Sequence, residues 1–422
     1  MNVPDYQSKF SEMKRYSLYQ TLPEGSREFI RGLAFQYNLT VQQFYELVKA
    51  ERDLHMWKEP GLEQWWDHLE TKPSGRNQLL SGVREQLEGI CSEAPDYSTF
   101  VADTPARPKA KSVDTRTTDR KIHGYCPALS EETVCCNLRT IDVVENCPLG
   151  CSYCSIQTFY TDRFVFEEHL GEKLSRIPVS PDRYYHYCTG QSSDSLVWGN
   201  RNGNLEKLAA FARAHPNVLL ELKTKTNNVD ELLSLDIPPN VVVSWTLNTS
   251  TITAQEEHFT ATPQDRLNAA EKVAAAGLPV AFHFHPIIYY RNWQEEYREL
   301  IDQLTHRIDP RQVLFVSMGA LTLIKPAINR MRQLGIPTKI LQFPHDRDPH
   351  GKITYPKEIK QVLFSTIYQA FHTWHERVFF YLCMETDDIW HKVLGRSYDT
   401  NEKFEADFLN HLFARLSEDY SH

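Results

Sequence analysis

The sequence has no run of about 18 consecutive apolar residues, which is the length that a membrane-spanning helix requires. Its first residues, MNVPDYQSKF, also lack the basic and then apolar order of a signal peptide. Basic residues are in the minority, with 46 Lys and Arg against 55 Asp and Glu and a net charge of −9. Bulk charge therefore does not favour nonspecific binding to nucleic acid. These absences predict a soluble, cytoplasmic protein whose contacts with any nucleic acid are local.

The cysteines are few and are not arranged as a disulfide framework. The 422-residue chain has nine of them, an odd number, and three fall within the eight residues CPLGCSYC at 147–154. In a reducing compartment such a cluster indicates metal binding or catalysis. The hydrophobic content of 41% is enough to bury a barrel-sized core and a smaller second unit.

Changes in pattern divide the chain into four segments. Residues 1–95 are rich in aromatic residues at helical spacing and predict an N-terminal helical domain, with Thr40 as a helix N-cap. Residues 96–137 have little apolar periodicity and many basic side chains, which predicts a basic irregular linker. Residues 138–320 show a regular strand and helix alternation, and residues 321–422 form a C-terminal extension.

The alternation consists of six short runs rich in β-branched or aromatic residues, separated by amphipathic helical stretches. The runs are LRTIDVVE, RYYHYCT, NVLLELKT, NVVVSWTLN, PVAFHFHPII and QVLFVSMG. Repeated strand and helix units of this kind predict a parallel sheet. Six units are two short of a closed eightfold barrel, so the predicted fold is α/β, a partial (β/α)6 TIM-like barrel with an N-terminal helical domain and a C-terminal α/β extension. Functional groups are expected at the carboxyl ends of its strands.

Cys147, Cys151 and Cys154 directly follow the first of these strands. A closed structural zinc site needs four ligands, and no fourth is obvious nearby. A thioredoxin-like redox pair needs only Cys151 and Cys154 and leaves Cys147 unexplained. Three thiolates can instead hold three irons of a [4Fe–4S] cluster and leave the fourth iron open. A CxxxCxxC loop after the first strand of a partial barrel resembles the radical S-adenosylmethionine superfamily.

That resemblance implies that S-adenosyl-L-methionine binds the open iron and is cleaved to a 5′-deoxyadenosyl radical. The electron would come from a donor such as flavodoxin or ferredoxin. The resemblance also implies cofactor contacts at the ends of successive strands, where the fold brings polar groups around one mouth. The expected cofactor-binding residues are Thr189, Gly190, Gln191, Lys225 and Asn248.

A narrower resemblance covers residues 139–395. It rests on TGQSSDSL, ELKTKTNNVDELL, SWTLNTSTITAQEEHFTATPQDRLNAAEKVAAAGLPVAFHFHPIIYY, GKITY and YLCMETDDIW, which are similar to the spore photoproduct lyase family and its homologues outside spore formers. That family splits the dimer 5-thyminyl-5,6-dihydrothymine into two thymines. The resemblance implies a lyase that repairs a thymine lesion in damaged DNA. Two alternatives stay open: a radical enzyme acting on RNA or a peptide, and a nucleic-acid-binding protein with a structural or redox-sensing cluster.

The resemblance also assigns catalytic roles. Cys188 stands where the family carries the cysteine that returns a hydrogen atom to the product, and the alternative is a small buried strand residue. Tyr153 matches the family's tyrosine before the last cluster cysteine. The family's second tyrosine, just after that cysteine, is Ser155 here, so a relay from thiol to tyrosine to cofactor is weakened.

Candidate substrate contacts come from two further stretches. Arg347, Lys352 and Tyr355 lie in FPHDRDPHGKITY, where the resemblance places contacts with the lesion and its backbone, and the alternative is a polar surface loop. His283 and His285 alternate on one strand face and would line the mouth or be satisfied core residues.

Overall fold

The computed structural model describes residues 6–102, 112–127, 132–161 and 163–420. Its first part is a helical domain, whose helices are α1 (Tyr6–Met13), α2 (Ser17–Gln20), α3 (Glu24–Tyr37), α4 (Val41–Trp57), α5 (Leu62–Asp67) and α6 (Arg76–Ser92). Helix α4 begins where the sequence predicts. The Thr40 hydroxyl accepts from the Gln43 N–H at 3.3 Å, and the Gln43 side chain accepts from the Thr40 N–H at 2.9 Å.

The strands follow in chain order. They are β1 (Ser112–Arg116), β2 (His123–Tyr125), β3 (Arg139–Ile141), β4 (Val144–Glu145), β5 (Arg163–Glu167), β6 (Tyr185–Thr189), β7 (Val218–Thr224), β8 (Val241–Thr246), β9 (Val280–Ile287), β10 (Val313–Ala320), β11 (Thr322–Leu323), β12 (Asp346–Arg347), β13 (Ile353–Thr354) and β14 (Phe379–Leu382).

The remaining α-helices lie between and after these strands. They are α7 (Leu170–Ser175), α8 (Asn204–Ala214), α9 (Asp230–Leu233), α10 (Ser250–Glu256), α11 (Pro263–Ala275), α12 (Trp293–Arg307), α13 (Lys325–Leu334), α14 (Lys357–Ala370), α15 (Asp387–Leu394) and α16 (Asn401–Asp419). Among the described residues, no helix combines the length and the apolar character needed to cross a membrane.

A curved eight-stranded sheet forms the centre of the molecule, in the order β14-β10-β9-β8-β7-β6-β3-β2. All neighbouring pairs are parallel except β2 and β3. Every residue of β6, β8 and β10 is buried, because helices cover one face of the sheet and side chains fill the other. The predicted α/β partial barrel is confirmed, and its six predicted strands are β3 and β6 to β10.

The sheet has one parallel strand more than the six that the sequence predicts. Strand β14 pairs with β10 through Phe315 and Phe379 and through Met318 and Leu382. It belongs to the segment 321–422, so this extension completes the barrel wall and is not a separate unit. The sequence pattern misses β14 because four residues, FFYL, are too short a run to show a period.

The segment 96–137 is not irregular throughout, which corrects the expectation of an irregular linker. Strand β1 pairs in parallel with β5, and β2 pairs antiparallel with β3 at the edge of the large sheet. Both strands are largely exposed, so their sequences show no apolar alternation. They are strands because they pair with partner strands. Residues 103–111 and 128–131 of this segment lie outside the described residues.

The helical domain packs against the C-terminal part of the barrel through buried ion pairs. The Arg332 guanidinium donates to both carboxylate oxygens of Asp53, at 2.7 and 2.6 Å. The Lys339 ammonium lies 2.9 Å from the Glu59 carboxylate. A bidentate pair of this kind fixes orientation as well as distance. The two parts therefore meet in one defined arrangement.

Candidate functional site

A cavity of about 240 Å³ opens at the carboxyl ends of β6 to β9. It brings together residues from the cysteine loop, the loop after β6 and the last residues of three strands. Its polar and sulfur-bearing lining includes Cys147, Cys151, Tyr153, Cys154, Gln157, Tyr160, Gln191, Ser193, Asp194, Lys223, Thr224, Lys225, Thr246 and His285, together with the backbone of Gly150 and Gly190.

The cysteine loop is held against helix α10 and the turn that follows it. The Ser152 N–H donates to the Glu256 carbonyl at 2.8 Å, and Cys151 forms a β-bridge with Glu257. Gly150 has a φ of 65°, and a Cβ there would meet the Phe259 ring at 3.1 Å. The loop therefore needs glycine at this turn to present its three thiols to the cavity.

The thiols suit an iron–sulfur cluster. Cys147, Cys151 and Cys154 carry thiols and not disulfides, and burial raises the pKa of Cys147 to about 12 and that of Cys151 well above its ordinary value. Such thiols become thiolates when a bound cation compensates the charge. Among the described residues, no three ligand side chains already converge on a single metal ion. A cubane does not require such convergence, since each cysteine binds a different iron.

Glu257, which the sequence did not single out, organises the wall beside the cysteines. Its carboxylate accepts from Tyr153, from Lys225 at 2.9 Å and from Arg266, and Lys225 also donates to the Tyr153 hydroxyl at 3.0 Å. Burial favours the neutral acid, but the Arg266 and Lys225 charges outweigh it and hold the pKa of Glu257 well below its ordinary value. The predicted residues Tyr153 and Lys225 are thus held together by one carboxylate.

The structure brings only some of the predicted cofactor residues to the cavity. Gly190, Gln191 and Lys225 line it. Asn248 is fully buried outside the lining, where its amide donates to Glu257 at 3.2 Å. The Thr189 hydroxyl is likewise buried. Asn248 is a hydrogen-bond partner of the buried Glu257 carboxylate, and Thr189 is one of Ser195 in the loop after β6.

Asp194 is a lining residue that the sequence did not reveal as functional, although it lies within the quoted run TGQSSDSL. Its carboxylate accepts from the Thr224 hydroxyl at 2.9 Å and from the Lys225 N–H at 2.7 Å. It also accepts from the backbone N–H groups of Leu196 and Val197. Asp194 therefore fixes the loop after β6 to the end of β7, at the edge of the cavity.

A second buried carboxylate lies deeper in the barrel. Glu221 accepts from His186 at 2.8 Å, from His283 at 2.6 Å and from the Ser244 hydroxyl. Burial favours the neutral acid, but His283 and His186 hold the pKa of Glu221 well below its ordinary value. His283 is thus a satisfied interior residue, whereas His285, two residues further along β9, lines the cavity and lies 2.8 Å from the Ser317 hydroxyl.

Cys188 lies beside this second carboxylate. The register of β6 and β7 pairs it with Glu221, and its thiol donates to the Thr189 carbonyl at 2.8 Å. Burial raises the pKa of this thiol well above its ordinary value, so it keeps its hydrogen. Cys188 does not contribute to the lining of the cavity, but Lys223, which does, is among the charged groups nearest to it.

The three substrate residues predicted from FPHDRDPHGKITY lie away from the cavity. Arg347 is exposed and lines a separate cavity of about 810 Å³ between α4, α6 and α13. Lys352 is half-buried. Tyr355 is buried, and its hydroxyl accepts from the Tyr289 N–H at 2.9 Å. None of the three lines the cysteine cavity. Their segment contains β12 and β13, and β13 pairs with both β12 and β11.

Comparison with known proteins identifies the barrel region. The family model for spore photoproduct lyase matches residues 139–324. The spore photoproduct lyase of Clostridium acetobutylicum is 22% identical over 242 residues, which are 54% of this chain and 72% of the relative. That of Bacillus subtilis is 27% identical over 238 residues, 53% of this chain and 69% of the relative.

Solved structures agree in fold. A spore photoproduct lyase complexed with dinucleoside spore photoproduct superimposes with a TM-score of 0.56 at 19% identity, covering 72% of this chain and 94% of that one. A spore photoproduct lyase variant with bound AdoMet and the same dinucleoside gives the same TM-score of 0.56. At this level of identity the superposition shows a common fold. With the family match and the curated relatives, it confirms the resemblance seen in the sequence: residues 139–324 of this chain are similar to the spore photoproduct lyase family.

Proposed function

We propose that this chain is a radical S-adenosylmethionine lyase that repairs a UV-induced thymine lesion in DNA. One observation carries the proposal. The three thiols of the CxxxCxxC loop line the same cavity as Gly190, Gln191 and Lys225, in a domain similar to the spore photoproduct lyase family. Structural neighbours with bound AdoMet and dinucleoside spore photoproduct support this reaction class.

The cavity offers the groups that the cofactors need. Cys147, Cys151 and Cys154 would hold three irons of a [4Fe–4S] cluster. When bound, the cluster and S-adenosyl-L-methionine supply the 5′-deoxyadenosyl radical that removes a hydrogen atom from the substrate. Gly190 allows close backbone approach, since a Cβ there would meet the Lys223 carbonyl oxygen at 2.8 Å. Lys225 adds a positive charge at the cavity edge, where Glu257 and Tyr153 fix its position.

We assign the return of hydrogen to Cys188. The Cys188 S–H bond breaks homolytically, the hydrogen atom forms a C–H bond on the product radical, and a thiyl radical is left on sulfur. A thiol suits this step because it is neutral, as its raised pKa ensures. Ser155 has no phenol and cannot replace the tyrosine that the family uses next to the last cluster cysteine. We therefore expect 5′-deoxyadenosine to accumulate as a stoichiometric product.

The partners follow from the reaction. The substrate is damaged DNA, and the reductant is a one-electron donor of the flavodoxin or ferredoxin class in the cytoplasm. The chain's acidic balance, with a net charge of −9, means that DNA must be held by local contacts. Reconstitution with flavodoxin or ferredoxin in place of a chemical reductant tests the donor class.

The deciding experiment is anaerobic reconstitution with iron, sulfide, dithionite and S-adenosyl-L-methionine, followed by incubation with UV-irradiated DNA. We expect one [4Fe–4S] cluster per chain, 5′-deoxyadenosine and recovered thymine. Cys151→Ala should abolish cofactor cleavage. The matched control is Cys91→Ala, which removes a buried thiol from helix α6, outside the cysteine cavity. Wild-type cofactor cleavage by Cys151→Ala would contradict the cluster assignment, and cleavage with no change in the DNA would point to RNA or a peptide instead.

The role of Cys188 is tested by the identity of the products. Cys188→Ala should still cleave the cofactor and remove hydrogen from the lesion, but the product radical then lacks its donor and forms aberrant adducts. A merely structural cysteine would behave differently, since a small core truncation lowers the free energy of unfolding by about 1 kcal/mol and leaves the products unchanged. Mass spectrometry of the digested DNA separates the two outcomes, and clean thymine recovery would exclude the donor role.

A further inference from the structure

Lys223 differs from the other charged side chains around the cysteine cavity. Lys225 is paired with Glu257, and Asp194 accepts four hydrogen bonds from side-chain and backbone donors. Within the described part of the chain, the Lys223 ammonium makes no hydrogen bond or ion pair, although its stem lines the cavity. Lys223 is half-buried, and a half-buried cation without a protein acceptor favours a ligand that supplies one.

Lys223 lies on β7 between Lys225, which is beside the cysteines, and Glu221, which is in the barrel interior. Successive side chains of a strand point to opposite sides. Every second residue therefore lies on the same face, which here carries Glu221, Lys223 and, just after the strand end, Lys225. Lys225, after the strand end, reaches the Glu257 group beside the cysteines, and Glu221 reaches the histidines of the interior. Lys223 therefore lies between the cysteine side of the cavity and the barrel interior.

The charge of Lys223 is maintained by its surroundings. Burial opposes the ammonium form, but the charge of the neighbouring Glu221 carboxylate opposes the effect of burial, and the pKa of Lys223 lies above its ordinary value. Glu221 cannot neutralise it by direct pairing, because both of its oxygens are occupied by His186, His283 and Ser244. The ammonium thus remains a hydrogen-bond donor on a residue that lines the cavity.

We propose that Lys223 binds the lesion base, donating to the ring carbonyl oxygen next to the carbon that carries the methylene bridge. This inference rests on the proposed function. The thymine C4 carbonyl is adjacent to ring carbon C5, whose methylene becomes the radical that Cys188 must quench. A donor close to Cys188 that faces the cavity can hold this carbonyl, so that the methylene carbon is presented to the thiol. Lys223 is then a specificity-determining residue, distinct from Lys225 on the cofactor side.

The test is equilibrium binding of dinucleoside spore photoproduct to protein with a reconstituted, oxidised cluster, without reductant, so that no turnover occurs. Lys223→Met keeps the length of the stem and removes the charge. We expect its affinity for the lesion to fall roughly 10- to 100-fold, as for a lost charge-assisted hydrogen bond. Its affinity for S-adenosyl-L-methionine should change by less than about twofold. Lys272→Met, which removes an exposed lysine paired with Asp230, is the matched control and should bind both as wild type does.

A substrate analogue gives a second, independent readout. Wild type should bind an analogue with an amino group in place of that ring carbonyl oxygen more weakly than the lesion, and Lys223→Met should bind the two alike. Unchanged lesion affinity in Lys223→Met, or equal binding of lesion and analogue by wild type, would overturn the inference alone. A loss confined to S-adenosyl-L-methionine would assign Lys223 to the cofactor carboxylate instead. Wild-type protein that binds no lesion at all would overturn the proposed function and this inference with it. If Lys223→Met does not fold, Lys223→Gln and the analogue comparison with wild type decide the question.

Discussion

Two of the buried carboxylates, Glu257 and Glu221, each accept several hydrogen bonds from side chains, but their partners differ. Glu257 is surrounded by the Arg266 guanidinium, the Lys225 ammonium and the Tyr153 hydroxyl. Glu221 is surrounded by two histidines and Ser244. Histidine changes charge near neutral pH, whereas lysine and arginine do not.

This difference separates the two halves of the site. The Arg266 and Lys225 charges hold the pKa of Glu257 well below its ordinary value, so this carboxylate stays ionised on the cysteine side of the cavity as the pH falls. The group around Glu221 lies beside Cys188 and Lys223, and its charge state depends on pH. The cofactor side is therefore expected to be rigid and pH-independent, and the interior side is expected to respond to acid.

The largest effect should come from Glu257→Gln. This change leaves the Arg266 guanidinium, which is fully buried, without its carboxylate. Removing one partner of a buried ion pair typically lowers the free energy of unfolding by about 3–5 kcal/mol. Denaturant unfolding of the purified protein measures it. The control is Glu271→Gln, which breaks an ion pair with the half-buried Arg307 from a carboxylate that is itself partly exposed, and its loss should be below about 1 kcal/mol. Equal losses in both variants would contradict the importance of the Glu257 group.

A smaller effect is expected from Glu221→Gln, at about 1–3 kcal/mol near neutral pH, because the histidines lose a charged acceptor. The pKa of Glu221 is held well below its ordinary value of 4.5, so its contribution to stability is present above that value and is lost as pH falls through the depressed pKa. The difference between wild type and variant should therefore shrink in strong acid. A difference that is constant from neutral to strongly acidic pH would show that the carboxylate charge is not involved.

The smallest effect concerns His285. Burial, together with the charges of His283, Lys223 and Lys225, holds the pKa of His285 well below its ordinary value of 6.5, whereas Glu221 opposes this. Between the lowered pKa of His285 and about 6.5, this histidine binds a proton in the unfolded chain but not in the folded protein. The free energy of unfolding therefore decreases as the pH drops below about 6.5. His285→Gln should remove about 1 kcal/mol of this loss at a pH of about 5.5. Denaturant unfolding at neutral and acidic pH checks it, and identical pH profiles would exclude His285 as a source of acid sensitivity.

The sequence predicts the parts of the fold that have a period. Six strands of the large sheet, β3 and β6 to β10, are found where the alternation of strand and helix patterns places them. Strands β1, β2 and β14 are short or exposed. They form because they pair with strands distant in sequence, as Phe379 of β14 pairs with Phe315 of β10. No local pattern encodes such a partner.

The site divides in the same way. Three cysteines in eight residues are a local signal, and they do line one cavity. Glu257 gave no such signal, because a glutamate at the end of a helix is usually a solvated residue, and only the fold buries it against Arg266. Lys223 could have been recognised from the sequence. Charged residues occupy every second position at the end of the apolar strand β7 and just after it: Glu221, Lys223 and Lys225. Charges at period two on a buried strand indicate that its inner face lines a polar cavity.

During synthesis, the six strands β3 and β6 to β10 leave the ribosome before β14 exists. Until Phe379–Leu382 emerges, β10 is an open edge of parallel sheet, which is the kind of surface that pairs with other chains and aggregates. The contact between Val134 and Glu385 also waits for the last part of the chain. The thiol loop is thus made long before the barrel wall is complete. The residues that line the cysteine cavity all precede β10 in the chain, so the groups that would hold iron and sulfide are made before the strand that covers the open sheet edge.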